Sequence, residues 1–498
     1  MALDDTPIHP NDPIQTETPP EEASPSRWTY DPRFSKAVTI LSALVLVVCV
    51  GAVVWMATSL PRLDRVAAPE RALSLMVTRT MEIEEGLKRA PGWEQALYNV
   101  TMGNSGSEQE QSITWYKELA EVSPDPIVQL HLAVLEGEAG QQAAVLEKAR
   151  SWTTRESPFP FYARLVEGAY GTSPLGKNIE QALQAELAEA VPAGWFYDRL
   201  AVNLAQRAGD LALHQTVEAD LAARGARLLE RSRAFALVEL AFMCIGTTVL
   251  VTLWIRRRPH EEALRVGSVS FPPPWPGGIG SKVLLRGGAI GAVLTLAFLF
   301  AAMDHASLRV LAIPLSNLPL LFLAYRHLFK PSGLSLHEGF GLNPAPSGVL
   351  RIAGAVSAIV AVSFIGEWVM GKIAEPLNLS SHWTEWFDGD LVWGAPSVMA
   401  ASLIEYVVFA PVFEEVAFRG ILFAILRRRF AWGPSAIISA GIFAISHGYG
   451  LLGFISVFWS GVLWAWAYEK TGSLLPGMIA HSLNNLLVCL SVIALLRL

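Results

Sequence analysis

Charged side chains are scarce in this chain of 498 residues. Asp, Glu, Lys and Arg make up 17%, against 52% hydrophobic residues. A soluble domain carries about 25% charge, so a length that would otherwise suggest about three soluble domains reads instead as a membrane protein. Cysteine is scarcer still. Cys49, Cys244 and Cys489 all fall in apolar runs and form no CxxC pair, which removes a zinc–thiolate site and a disulfide framework and leaves them as small buried apolar residues. No basic stripe accompanies the net charge of −7, so no nucleic-acid partner is expected. The first residues carry Asp4 and Asp5 rather than a basic n-region, which predicts no cleavable signal peptide. The helical HExxH zinc pattern is also missing.

What is present is a series of long apolar runs. Residues 1–36 are rich in Pro, Asp, Glu, Thr and Ser and predict a disordered cytoplasmic tail, because such a composition cannot bury enough apolar surface to fold. Residues 37–60 contain no charge and are long enough to span a bilayer, since about 20 residues at 1.5 Å each cover the ~30 Å core. Residues 61–233 are different: polar, with apolar residues at helical spacing, as in Leu200, Leu204 and Leu211 around a breaker at Gly209 and Asp210. They predict an extracytoplasmic helical domain. Its paired short helices resemble tetratricopeptide-type hairpins, although no period near 34 residues can be counted. Such a domain is either a peptide-binding array with a protein partner or a plain helical spacer.

A second span is expected at 234–255, followed by Arg256, Arg257 and Arg258. Residues 256–339 then hold a loop and two spans, near 286–303 and 309–326. A C-terminal bundle, 340–498, holds spans near 350–371, 396–426, 434–448, 451–468 and 474–496. The expected fold class is therefore all-α: a polytopic transmembrane helix bundle of about nine spans with an inserted soluble α-helical, tetratricopeptide-like domain. Arg265, Lys282, Arg326, Lys330 and Arg427 to Arg429 mark loops on one side, and Glu375, Glu385, Asp388 and Asp390 a loop on the other. By the positive-inside rule the basic side is cytoplasmic. His382, Trp383 and Trp386 in the acidic loop read as interface anchors.

One stretch contradicts its apolar setting: Pro411 to Gly420, PVFEEVAFRG. An ionised residue at mid-bilayer costs roughly 2.5–3.5 kcal/mol on insertion scales. Glu415 and Arg419 are four residues apart and share a helix face, so they can neutralise each other. Glu414 points about 100° away and has no such partner. Two histidines also fall inside spans, His447 and His481, and Asn485 follows His481 on its face. Counting residues from the basic loops puts Glu414, His447 and His481 at a common depth. A carboxylate and an imidazole in a dry pocket can share a water and take its proton. A second imidazole and an amide can donate hydrogen bonds to the oxyanion formed when water attacks an amide carbonyl. Alternatively, Glu414, His447 and His481 could hold a divalent metal such as zinc, two nitrogens and an oxygen with one open position.

The motifs EExxxR (Glu414, Glu415, Arg419), FxxxH (Phe443, His447) and HxxxN (His481, Asn485) stand in this order across about 70 residues. Together they resemble the type II CAAX prenyl endopeptidases and their bacterial relatives, the CPBP intramembrane proteases, over about 340–498. The resemblance implies an intramembrane endopeptidase of a bacterial inner membrane acting on membrane-associated proteins or peptides. It implies that Glu414 and His447 activate water, that His481 and Asn485 form the oxyanion hole, and that Glu415, Arg419 and Phe443 support them. Metal assistance stays open. The alternative is a non-catalytic membrane scaffold or immunity-type protein using the same polar residues structurally. A proton-coupled transporter ranks last, because the inverted repeats such proteins are built from have no counterpart here.

Overall fold

The computed structural model describes residues 30–59, 61–101, 105–256, 264–267, 271–301, 306–344, 348–377 and 379–497. Most of the expected tail lies outside the described residues, as do Arg257 and Arg258 of the orienting loop. Every regular element among the described residues is helical.

Among the described residues, seven helices are long and apolar enough to cross a membrane. The N-terminal pair is α1 (Lys36–Ser59) and α10 (Leu211–Arg256), which enclose the polar helices α2 to α9 in the chain. Next come α11 (Gly277–Ala301), α12 (Ala306–Ala324) and α13 (Gly348–Ala374). The other two expected spans take different forms. Residues 396–426 form α14, in which π-helical turns at Glu405–Phe409 and Glu415–Phe423 interrupt α-helical segments. The next, α15 (Trp432–Ile445), has 14 residues, or about 21 Å of rise. The last two are α16 (Leu451–Thr471) and α17 (Leu475–Leu496).

The polar helices are α2 (Pro69–Lys88), α3 (Gly92–Thr101), α4 (Ser105–Val122), α5 (Pro126–Glu138), α6 (Gln142–Trp152), α7 (Phe159–Tyr170), α8 (Lys177–Ala190) and α9 (Trp195–Ala208). Their apolar stripes close on one core around Leu73, Tyr116, Leu119, Leu130, Trp152 and Leu204. That core also takes in Trp383, Leu391, Val492 and Leu496, so the polar helices sit directly on one end of the C-terminal bundle. Here the structure departs from the expected interface anchors. Trp383 is fully buried, His382 Nε2 lies 3.0 Å from Glu118 Oε2, and Arg71 covers the Trp393 ring at 4.4 Å. The acidic loop is a docking surface for the helical domain.

The chain breaks between α9 and α10 at Gly209, which takes a left-handed φ of 73°, and Asp210 Oδ1 accepts the Leu213 amide at 3.0 Å to start the new helix. No break follows at 233/234, where the domain was expected to give way to the span; α10 continues for 46 residues. It is held against α2 by a close crossing at Gly86 and Gly225. A Cβ on Gly86 would lie 2.6 Å from the Gly225 carbonyl oxygen, and one on Gly225 would lie 2.8 Å from the Gly86 nitrogen. Gly225→Ala is therefore expected to lower stability by about 1–3 kcal/mol, the usual cost of overpacking. Unfolding of the detergent-solubilised protein measures it, and an unchanged transition would show that the crossing can open without penalty.

Candidate active site

Helix α14 carries Glu414, Glu415 and Arg419. Glu415 and Arg419 are fully buried and paired, Oε1 to Nη1, at 2.9 Å. Two glycines on neighbouring helices make room for them. A Cβ on Gly461 of α16 would lie 2.9 Å from Arg419 Nη2, and one on Gly477 of α17 would lie 3.2 Å from Glu415 Oε2. The guanidinium sits in the corner between two nearly perpendicular aromatic rings, 4.3 Å from the Phe443 ring centre and 5.0 Å from that of Trp464. A cation over a ring face in a desolvated site gains about 2 kcal/mol. Arg419 Nε and Nη2 and Glu415 Oε2 have no hydrogen-bond partner, so the pair is only partly compensated.

His481 of α17 joins this pair to Glu414. Its Nδ1 lies 3.3 Å from Glu415 Oε1 and its Nε2 3.8 Å from Glu414 Oε2. Trp464 stacks on the imidazole at 3.9 Å and 17°. Glu414 differs from Glu415 in access: 27% of its side chain is exposed, against 1% for Glu415. His447 sits just beyond α15, where Gly448 turns the chain with a φ of 66°. Its Nδ1 is 2.8 Å from the Phe443 carbonyl oxygen, and its ring meets Phe443 edge-on at 4.6 Å. Phe443 touches both imidazoles, with His481 at 6.1 Å between ring centres. The structure thus brings Glu414, Glu415, Arg419, Phe443 and His481 into one cluster, with His447 attached through Phe443.

Asn485 has a specific partner. Its Nδ2 donates to the Tyr406 carbonyl at 2.8 Å. That carbonyl is orphaned twice by the π turn: the Ala410 amide bonds one residue further back, to Glu405, and residue 411, the next in reach, is a proline without an N–H. Asn485 therefore ties α17 to α14 with one amide hydrogen and keeps a second. Ser439 Oγ also braces the second π turn, donating to the Phe418 carbonyl at 3.0 Å. Such turns recur at functional sites.

Among the described residues, no three His, Cys, Asp or Glu side chains gather closely enough to hold a metal ion. His481 directs its two nitrogens at two different carboxylates, and His447 spends Nδ1 on a backbone carbonyl. Holding Nδ1 on an oxygen leaves Nε2 of each imidazole available, as in metal-ligating histidines, so Glu414, His447 and His481 keep the donor types considered for a metal although their described positions do not gather as three ligands. Sequence reasoning missed Trp464, Gly461 and Gly477. The signal available for Gly461 was a small residue in mid-span, a mark of close helix–helix approach; Trp464 three positions later shares its helix face.

These features define an integral membrane protein with a carboxylate–imidazole centre enclosed by its C-terminal helices. Residues 396–487 match the family described as Type II CAAX prenyl endopeptidase Rce1-like, so this segment is similar to the CAAX-type proteases. It is also 29% identical over 138 residues to an uncharacterized 24.3 kDa protein of Escherichia coli; the match spans 59% of that protein's length and 27% of this chain. No solved structure matches.

Removing one member of a buried ion pair typically costs about 3–5 kcal/mol, because the other is left charged and alone. Arg419→Met is expected to destabilise the protein by that amount, and adding Glu415→Leu to recover part of it. Unfolding of both variants in detergent checks this. If the double variant is no more stable than the single one, the cost lies in lost packing rather than in the stranded carboxylate.

Proposed function

We propose that the protein is an intramembrane endopeptidase that hydrolyses peptide bonds of membrane-associated proteins or peptides, using water activated by Glu414 and the two histidines. The supporting observation is the 3.8 Å gap between Glu414 Oε2 and His481 Nε2. It is too long for a direct hydrogen bond and suits a water shared by both. Glu414, partly open where Glu415 is sealed, takes a proton from that water. The water oxygen adds to the scissile carbonyl, and the proton passes to the leaving amide nitrogen.

Hydrogen-bond partners support the roles of the imidazoles. Glu415 Oε1 is an acceptor, so His481 Nδ1 carries its hydrogen toward it and Nε2 faces Glu414. The Phe443 carbonyl sets His447 Nδ1 in the same way. Each free Nε2 can accept a proton and, once protonated, donate to the developing oxyanion. The second amide hydrogen of Asn485 is a further donor. In this reading His481 handles protons as well as serving the oxyanion hole implied by the resemblance, and Glu415 and Arg419 hold it in place. The proposed location is the plasma membrane of a bacterium, supported by the seven apolar helices and the Escherichia coli relative. The helical domain is proposed to engage a protein partner or substrate.

Glu414→Gln keeps the shape of the side chain and removes the base. Turnover is expected to fall about 10²–10⁴-fold while unfolding is unchanged. The measurement compares fragment termini of membrane proteins from cells producing either form, with and without a chelator. Identical fragments would overturn the proposal in favour of a scaffold, and loss of cleavage on chelation would return a metal to the mechanism.

A further inference from the structure

Among the helices outside the membrane lies a second polar site. A cavity of about 170 Å³ opens between α2, α4, α5 and α9, with Glu84, Glu85, Lys88, Glu138, Trp195 and Arg199 in its wall. Its charges do not cancel. Glu138 is fully engaged: Oε1 accepts from Tyr170 and Asn203 at 2.9 and 2.8 Å, and Oε2 accepts from Arg199 Nε at 2.7 Å. Glu85 pairs with Lys88 at 2.8 Å. Glu108, which lies near Glu84, accepts from the Tyr98 hydroxyl at 3.1 Å. Glu84 is left over. It is 7% exposed, and its Oε1 has no hydrogen-bond partner.

A buried carboxylate oxygen without a donor is left undersolvated, which a ligand carrying N–H donors and a positive charge would relieve. We propose that this cavity is a binding site for an organic cation, a primary ammonium or guanidinium group on an alkyl chain, with Glu84 as its counter-ion. The Lys88 and Arg199 cations are already matched, so a bound anion would find no free positive charge. The buried Trp195 offers apolar surface to the alkyl chain. The volume admits one side chain rather than a folded segment.

Protonation is consistent with this assignment. Burial pushes the Glu84 carboxyl up to about 8; the neighbouring Glu108 raises it, Lys88 opposes and Glu85 adds. The groups facing it are Glu85 and Lys88 on its own helix, Tyr98 of α3, Glu108 of α4, Glu138 of α5 and Arg199 of α9; Arg224 of α10 is engaged by Glu82 and Asp198. A cation entering below pH 8 displaces one proton, so affinity should rise about tenfold per pH unit up to that point and then level off.

The test is titration calorimetry on the full-length protein in nanodiscs with butylammonium, Nα-acetyl-lysine methylamide and the neutral Nα-acetyl-norleucine methylamide. The expected result is saturable binding of the two cations and at least tenfold weaker binding of norleucine. Tighter binding of the capped lysine would support a polypeptide side chain as the source, and equal binding a free amine. E84Q should lose tenfold or more, while E186Q, a surface carboxylate outside the cavity wall, should change affinity less than threefold. The norleucine comparison needs no variant and stands even if E84Q fails to fold. Equal binding of lysine and norleucine, no binding of either cation, or an E84Q protein that binds as well as wild type would overturn the assignment. Protease activity does not enter the readout.

Discussion

The C-terminal bundle is organised around an ion pair that lipid would not tolerate. Glu415 and Arg419 are fully enclosed, and a carboxylate and a guanidinium can persist there only if neighbouring helices supply what water would. Phe443 of α15 and Trp464 of α16 give ring faces, His481 of α17 gives an imidazole, and Gly461 and Gly477 give space. Four helices are thereby held in one relation. Replacing such a pair with apolar residues is often neutral or stabilising, so its retention points to positioning. It fixes the imidazole that faces Glu414.

How much of this was legible in the sequence depends on range. The Glu415–Arg419 pair followed from a four-residue spacing within one helix, and the structure pairs them at 2.9 Å. The meeting of Glu414 with His481 followed from comparing depths along spans, because helices that cross a bilayer share an axis and residue count becomes a coordinate. The contact of Asn485 could not be read this way. It depends on a carbonyl freed by a π turn and on Pro411 two turns above Glu415's partner, and no periodicity encodes that combination. Trp383 was misread for a related reason. A tryptophan in an acidic loop beside a span has the composition of an interface anchor, and only the tertiary arrangement reveals that a protein surface covers it.

Span number shows the same limit. Residues 396–426 and α15 carry apolar composition, yet one is interrupted by π turns and the other is short. Both line the centre, where the helix must turn aside to expose a carbonyl or end early to deliver His447. Local regularity is lost where the chemistry is proposed, which is why hydropathy describes the lipid-facing helices better than the inner ones.

Helix α10 has a consequence for how the two halves of the molecule move. Its 46 residues extend for about 69 Å without a hinge, gripped by α2 at one end and packed along α13 within the bundle. A jointed connection would let the outer helices swing and sample many headings. A single unbroken rod makes them a fixed fitting, held to the membrane at one height and one bearing.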